Sequence, residues 1–242
     1  MFTVFREKNV PRAAARLPLM WHLFDQFYRA ILNLPSFQEK DSYSVVIASA
    51  NSGEGASTIA TNLAYAYAYD STKNALLIDG NLRTPSLHNY FGVSREKGLT
   101  DLIDGTAGLD EALVHVQLDE TKRYQREQAT DAGPCFHFIP AGHSVPNPIL
   151  DYQSTGFLNL MEQLRSMFSF IIFDASPLVR YPETSVLASK TDGLIMILEH
   201  DKTSREVAQV AKKYLEMTNA KIIGAILNSK QFYIPAQIYK YL

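Results

Sequence analysis

Small and hydroxyl-bearing residues form a loop over residues 50–58 whose spacing is typical of phosphate binding. An apolar, β-branched run precedes this loop, and a segment rich in Ala and Leu follows it. A strand–loop–helix unit of this kind offers backbone N–H groups and a helix N-terminus to phosphate oxygens. The full signature, G-x-x-x-x-G-K-[ST], also needs a lysine for the β- and γ-phosphates. Gly55 and Ser57 fit it, whereas Ala50 replaces its first glycine and Ala56 replaces its lysine.

Two carboxylates come directly after apolar runs that are typical of buried strands. Asp79 ends the run 75–78, and Asp174 ends the run 170–173. Acidic groups at the carboxyl ends of parallel strands face the ligand crevice of an open α/β sheet. A phosphate loop with two such carboxylates is the minimal set for Mg-nucleotide binding and phosphoryl transfer. The alternative is that the carboxylates only cap helices.

The order of apolar runs predicts the elements that position these residues. Short strand-like runs alternate with helical patterns, which favours an α/β fold with a doubly wound, mostly parallel sheet. We find no internal repeat or linker, so residues 1–242 are expected to form a single domain. The further strands are expected at 136–140, 194–198 and 221–228, and the helices at 157–167 and 204–217.

The segment before the first strand divides into two parts. Residues 1–18 form an irregular basic arm, either a solvated tail or a contact with acidic lipid headgroups or a neighbouring subunit. Residues 19–34 repeat apolar side chains at helical spacing, and Pro35 closes the helix. This helix is expected to pack on the domain or to mediate oligomerisation. Residues 98–131 are polar and are expected to form short helices and a surface loop.

The composition limits the functional classes. A formal net charge of −2 and a pI of about 6.3 give no general reason to expect a nucleic-acid partner. The single cysteine, Cys135, suits a reducing compartment. No apolar run reaches the ~18 residues of a membrane span. We therefore expect a cytoplasmic protein, with any attachment to the inner membrane made through a partner.

Several motifs together resemble the bacterial tyrosine kinase (BY-kinase) family of capsule and exopolysaccharide synthesis, which is related to the MinD/ParA P-loop ATPases. The resemblance covers residues 19–228 and implies a P-loop NTPase fold. It also implies a partner, a membrane polysaccharide copolymerase, head-to-tail oligomers, and phosphorylation of a tyrosine-rich tail in trans. The motifs lie at 49–64, 77–87, 98–103, 140–142 with 146–148, and 170–177.

The resemblance also implies roles for single residues. Asn228 would approach the adenine, and ATP and Mg²⁺ would be the cofactors. The phosphates would be lined by Gly53, Glu54, Gly55, Ser57 and Thr58, and Mg²⁺ would be held by Ser57, Asp79 and Asp174. Three residues of the tail 229–242 are candidate phospho-acceptors, either for an active partner kinase or for a homo-oligomer, and could equally pack on the domain: Tyr233, Tyr239 and Tyr241.

This chain departs from the family pattern at several positions. The loop lysine is Ala56, and the earlier lysine of MinD-type loops falls at Asn51. The second acid of the family's Asp-x-Asp motif is Asn81, which cannot accept a proton as a carboxylate does. The family's Glu-x-x-Arg-x-x-Arg helix motif aligns with Gln26, Arg29 and Leu32, so that only its middle position is kept.

These losses predict a regulatory or scaffold protein with weak or absent kinase activity and weak nucleotide binding. The first alternative is an active tyrosine autokinase in which Arg83 or a partner residue replaces the lysine. The second is a MinD/ParA-like positioning ATPase. The Pro-Ala-Gly…Asn-Pro stretch over 140–148 and the tail tyrosines argue against the second alternative.

Overall fold

The computed structural model describes residues 12–14, 24–69, 74–117 and 135–229. Within these residues, eight strands form one sheet in the order β1-β4-β5-β3-β6-β2-β7-β8. All neighbouring strands are parallel except β4 and β5, which confirms the mostly parallel α/β fold. In chain order the strands are β1 (Arg12–Ala14), β2 (Tyr43–Ser49), β3 (Ala75–Gly80), β4 (Val114–Gln117), β5 (Cys135–Ile139), β6 (Phe170–Ala175), β7 (Gly193–Glu199) and β8 (Ile222–Asn228).

Helices connect these strands on both faces of the sheet. A short 3-10 helix, Phe37–Glu39, lies between the first helix and β2. The α-helices of the described residues are α1 (Phe24–Leu32), α2 (Ala56–Ala68), α3 (Leu87–Phe91), α4 (Leu99–Ile103), α5 (Leu109–Ala112), α6 (Pro148–Gln153), α7 (Thr155–Met167), α8 (Glu183–Ala188) and α9 (Arg205–Met217).

Two hydrophobic cores lie on the two faces of the sheet. Alternate residues of β2 enter different cores, with Val45 and Ile47 on the face of α1 and α2, and Val46 and Ala48 on the opposite face. Every residue of β2, β3 and β6 is buried. Strands covered on both faces are continuously apolar, which explains why these three are visible in the sequence.

Three features differ from the sequence-based expectation. The strand β1 lies inside the arm that was expected to be irregular, and β4 lies in the segment 98–131 where only helices and a loop were expected. β1 has only three residues and pairs Arg12 with His115, far along the chain, so it shows no local pattern. β4 does alternate apolar and polar residues, Val-His-Val-Gln, and this strand signal was missed. The helix expected over 19–34 is described from Phe24 to Leu32, and residues 15–23 lie outside the described part.

Within the described ranges, no helix is both long and apolar enough to cross a membrane. The single-domain organisation of residues 1–242 remains a prediction, because most of the arm and the tail after Ser229 lie outside those ranges.

Candidate nucleotide site

The strand order brings the predicted site residues to one edge of the sheet. β6 lies between β3 and β2, and Asp79 is the direct register partner of Asp174. The loop after β2 begins at the same edge, because β2 and β6 are parallel. The loop and both carboxylates therefore surround one crevice at the carboxyl ends of the strands.

The loop has a backbone that depends on two glycines. Gly53 has a φ of 85° and Gly55 a φ of 93°, a left-handed conformation that other residues adopt only with strain. Gly55 is the N-cap of α2, and no side chain caps this helix end. The first N–H groups of a helix have no partner within the helix. The loop thus presents backbone donors and a helix N-terminus to the crevice.

Glu54 braces the loop from inside the protein. Its side chain is buried, at 4% exposure. One carboxylate oxygen accepts the Asn51 N–H at 3.0 Å, and the other accepts the Asn51 side-chain amide at 3.2 Å and the Thr203 hydroxyl at 2.6 Å. Because its carboxylate is engaged, only the backbone of Glu54 is available to contact a phosphate. The carboxylate itself joins the loop to the segment after β7.

Asn228 holds the opposite side of the loop. Its side-chain amide donates to the Glu54 carbonyl at 2.9 Å. A Cβ atom at Gly55 would collide with this amide, so the close packing of Asn228 is a second reason for glycine there. Contact between Asn228 and an adenine remains a prediction.

The three positions that the sequence analysis considered for a loop cation are neutral or already engaged. Ala56 is nearly buried at the start of α2, and the Asn51 amide donates to Glu54. Arg83 donates through Nε to Glu183 Oε1 at 2.7 Å and through Nη1 to the Pro146 carbonyl at 3.5 Å. Arg83 is therefore paired with a carboxylate that is only 2% exposed.

Asp79 is fully buried at the end of β3. Its carboxylate accepts the N–H groups of Asn81 at 3.2 Å, Ser86 at 3.2 Å and Leu87 at 3.1 Å. Burial raises its pKa to about 7, although these backbone donors oppose the shift. Asp79 thus caps the start of α3, as the alternative interpretation had it, and still borders the crevice. A role in holding Mg²⁺ remains a prediction for this residue.

Asp174 is buried without a hydrogen-bond partner in the described part of the chain. Burial, and secondly the neighbouring Asp79, raise its pKa well above the usual range. Ser57 lies near enough to oppose this shift, but no regular hydrogen bond joins the two side chains. An unpaired buried carboxylate is costly, and a divalent cation with oxygen ligands would supply the missing partner. The residues present therefore fit Mg²⁺.

Asn81 accepts hydrogen bonds as a carboxylate would. Its Oδ1 atom accepts the Ser176 hydroxyl at 2.7 Å, the Thr84 N–H at 3.1 Å and the Thr84 hydroxyl at 3.3 Å. All three contacts are made to oxygen, so an aspartate at position 81 would keep them. The surroundings of position 81 are compatible with the acid that the family motif carries.

Two contacts of the crevice were not anticipated from the sequence. The pairing of Arg83 with Glu183 and the pairing of Thr203 with Glu54 each join residues at least 100 positions apart. An acidic residue directly after Pro182 was the available signal for Glu183, but nothing in the sequence indicated its partner.

Other predicted positions lie away from the crevice or outside the described residues. Gln26, Arg29 and Leu32 are all exposed on α1, where the family's assembly motif would lie. The three candidate acceptors, Tyr233, Tyr239 and Tyr241, fall outside the described ranges.

Comparison with curated proteins identifies relatives over most of the chain. The tyrosine-protein kinase YwqD of Bacillus subtilis (strain 168) is 32% identical over 208 residues, which are 84% of this chain and 80% of YwqD. The tyrosine-protein kinase CpsD of Streptococcus agalactiae is 27% identical over 205 residues, 84% of this chain and 82% of CpsD. No family model matches the chain.

This chain belongs to the bacterial tyrosine kinase family. The kinase domain of VpsO matches with a TM-score of 0.66 and 25% identity, over 88% of this chain and 100% of that one. The MinC:MinD complex of Aquifex aeolicus matches with a TM-score of 0.57 and 17% identity, over 78% and 70%, which shows the fold alone. The family is involved in capsule and exopolysaccharide synthesis, and its P-loop fold implies nucleotide binding.

Proposed function

We propose that this protein is a regulatory or scaffolding member of the BY-kinase family in capsule or exopolysaccharide synthesis, with weak or absent kinase activity. It binds Mg-ATP weakly in the crevice at the end of β2, β3 and β6. It acts at the inner membrane through a polysaccharide copolymerase.

The neutral phosphate loop carries this proposal. Ala56 offers no charge, and both Asn51 and Arg83 already donate to carboxylates. A charge-assisted hydrogen bond contributes ~1.5–3 kcal/mol, so its loss corresponds to roughly 10- to 100-fold weaker nucleotide binding. Phosphoryl transfer loses more, because negative charge grows on the phosphoryl oxygens in the transition state.

The rest of the crevice supports retained, weak binding. The uncapped start of α2 and the two left-handed glycines keep a phosphate-binding backbone. Asp174 and Asp79, with the Ser57 hydroxyl, are the residues that would hold Mg²⁺. When bound, the cation neutralises charge on the phosphates. The chain's own contribution is to orient the nucleotide through loop N–H groups.

A binding measurement tests the role of the loop. Isothermal titration with Mg-ATP is expected to give at least 10-fold tighter binding for Ala56→Lys than for the unaltered protein. Gln209→Lys is the matched control, since it adds the same charge on the exposed face of α9, and it is expected to leave the affinity unchanged. Tight binding by the unaltered protein, with phosphate appearing on Tyr239 or Tyr241, would contradict the proposal.

A double reversion tests whether the catalytic parts survive. Ala56→Lys combined with Asn81→Asp is expected to restore ATP turnover, because Oδ1 of residue 81 already has three donors. Each single variant is expected to remain far less active. A double variant that melts normally and still turns over no ATP would show that more than these two side chains has been lost.

The copolymerase partner is supported by the family's involvement in capsule synthesis. Tagged protein is expected to sediment with membranes that contain the copolymerase of the same organism, and to stay in solution when that copolymerase is deleted. Sedimentation that is independent of the copolymerase would contradict this part.

An active autokinase is the second candidate, favoured by the relatives that are named tyrosine-protein kinases. Incubation of the unaltered protein with labelled Mg-ATP distinguishes the two candidates, since only the autokinase transfers label to its own tyrosines.

A further inference from the structure

The segment 176–183, which follows β6, crosses the crevice from one side to the other. Near its start, the Ser176 hydroxyl donates to Asn81 Oδ1 at 2.7 Å. Further along, the Val179 N–H donates to the Ala50 carbonyl at 3.2 Å. The segment therefore runs from the end of β3, past the carboxyl end of β6, to the first residue of the phosphate loop.

Arg180 lies in this segment on the side of the phosphate loop. Its Cα atom is ~3.8 Å from that of Val179, whose N–H is bonded to Ala50. The side chain is exposed, and its guanidinium lies over the Tyr181 ring, 5.4 Å from the ring centre. No other described residue forms a hydrogen bond or an ion pair with this guanidinium. Arg180 is therefore available to bind an anion next to the loop.

Two other arginines at this edge of the sheet are less well placed for the loop. Arg83 is held by a buried glutamate, as described above. Arg95 contacts the Ser144 hydroxyl at 3.4 Å. Burial raises the pKa of Asp79, and the charge of Arg95 is among the groups that oppose this rise, which places Arg95 on the β3 side of the crevice. Because β6 separates β3 from β2, that side is two strand spacings, about 10 Å, from the strand that leads into the loop.

The strand order indicates which part of a nucleotide would meet Arg180. Asn228, the residue expected near the adenine, ends β8, and Asp174, the residue expected near Mg²⁺, lies at the end of β6. β2 and its loop lie between these two strands. A nucleotide that spans the loop from Asn228 to Asp174 directs its terminal phosphate toward β6. Arg180 belongs to the segment that follows β6, so it lies on the side of the terminal phosphate.

We infer that Arg180 binds the terminal phosphate of Mg-ATP and supplies part of the positive charge that the loop lacks at position 56. The inference rests on the proposed nucleotide binding and adds a residue that distinguishes ATP from ADP. Arginine is always charged, and its planar fork matches two phosphate oxygens. An exposed arginine loses rotamer freedom when it binds, so Arg180 compensates only in part for the missing lysine and binding stays weak.

Isothermal titration of the full chain with Mg-ATP and with Mg-ADP tests the inference. Arg180→Gln is expected to weaken Mg-ATP binding by at least ~10-fold and to leave Mg-ADP binding within ~2-fold, because only ATP carries the contacted phosphate. Arg180→Lys is expected to keep part of the preference for ATP, since it retains the charge without the planar fork. Arg95→Gln is the matched control at the same edge and is expected to leave both affinities unchanged. The same substitutions in an Ala56→Lys background, where binding is expected to be tighter, keep the differences measurable.

Three outcomes would overturn the inference and leave the proposed function standing. Equal Mg-ATP affinity of Arg180→Gln and the unaltered protein would show that Arg180 does not contact the nucleotide. An equal loss for Mg-ATP and Mg-ADP would show that Arg180 only supports the structure of the loop. A loss of Mg-ATP affinity in Arg95→Gln but not in Arg180→Gln would assign the phosphate contact to Arg95. The proposed function fails separately, through tight Mg-ATP binding and tyrosine phosphorylation by the unaltered protein.

Discussion

Two aspartates at opposite ends of the same sheet, Asp174 and Asp192, have opposite properties. Asp174 ends β6 at the crevice, has no hydrogen-bond partner among the described residues, and has a pKa raised by burial. Asp192 precedes β7 at the other end. It accepts the Ser44 N–H at 2.8 Å and the Ser44 hydroxyl at 2.9 Å, and pairs with Arg165 at 2.9 Å and with Lys40.

The pKa of Asp192 shows the effect of these partners. Burial alone would raise it, but the hydrogen bonds from Lys40 and Ser44 and the charge of Arg165 outweigh burial and lower the pKa to about 2. At the amino end of the sheet, the partly buried and fully paired carboxylate of Asp192 thus contributes to stability. The crevice end keeps an unpaired carboxylate, which costs stability and leaves an acceptor for a cation.

The largest expected change in the free energy of unfolding comes from removing the carboxylate of Asp192. Asp192→Asn leaves Arg165 and Lys40 without their carboxylate and is expected to lower the free energy of unfolding by about 2–3 kcal/mol at pH 7. The folded-state pKa lies below the unfolded value, so this stabilisation is present above about pH 4 and is lost as the pH falls toward 2. Urea denaturation at pH 7 and near pH 2.5 measures it. An equal loss at both pH values would contradict the ionic origin.

The next effect has the opposite sign. Asp174→Asn removes a buried carboxyl group, with which the protein can fold at pH 8 only by taking up a proton or by burying an unpaired charge, and it is expected to raise the free energy of unfolding at pH 8, without nucleotide, by about 1–2 kcal/mol. The raised folded-state pKa means that the unaltered protein loses stability as the pH increases above about 4, so the gain of the variant is expected to vanish near pH 4.

Thermal unfolding at pH 4 and pH 8 measures this change, and Glu162→Gln on the exposed surface of α7 is the matched control. In the same experiment, added Mg-ATP is expected to stabilise the unaltered protein and not the Asp174→Asn variant. A loss of stability at pH 8 in the variant would contradict the contrast between the two aspartates.

A smaller effect is expected from weakening the support of the phosphate loop, without altering Asp79 or Asp174. Thr203→Val removes the hydroxyl that donates to the buried Glu54 at 2.6 Å and is expected to cost about 1 kcal/mol. Mg-ATP affinity is expected to fall as well, since the loop loses a brace. Chemical denaturation and titration calorimetry measure the two effects. A loss of affinity with no loss of stability would instead indicate a direct role of Thr203 in binding.

The smallest expected change in the free energy of unfolding comes from removing an exposed ion pair, and it serves as the reference for the other variants. Lys212 and Glu216 form an exposed i, i+4 pair on α9 at 3.5 Å, and such pairs contribute about 0.3–0.5 kcal/mol. Lys212→Ala is expected to change the free energy of unfolding by no more than this. If Lys212→Ala lowered the free energy of unfolding as much as Asp192→Asn, the lower exposure of the Asp192 ion pairs would not explain their larger contribution.

The candidate site was predictable where each residue has a local signature. The loop over 50–58, Asp79, Asn81 and Asp174 each follow an apolar run, and their convergence follows from parallel strands. The pairings of Glu54 and Glu183 were not predictable, because a carboxylate in the sequence does not indicate which distant donor it will meet.

The sequence by itself determined the central strands, the glycine-dependent loop and the absence of a lysine at position 56, because covered strands and left-handed turns restrict residue type locally. Only the tertiary structure decided that Arg83 is paired with Glu183, that Asp174 is left unpaired and that Asp192 is fully paired. These outcomes depend on which groups meet across the fold. Burial strengthens the interaction of a charge with its partners and removes the water that would otherwise replace them.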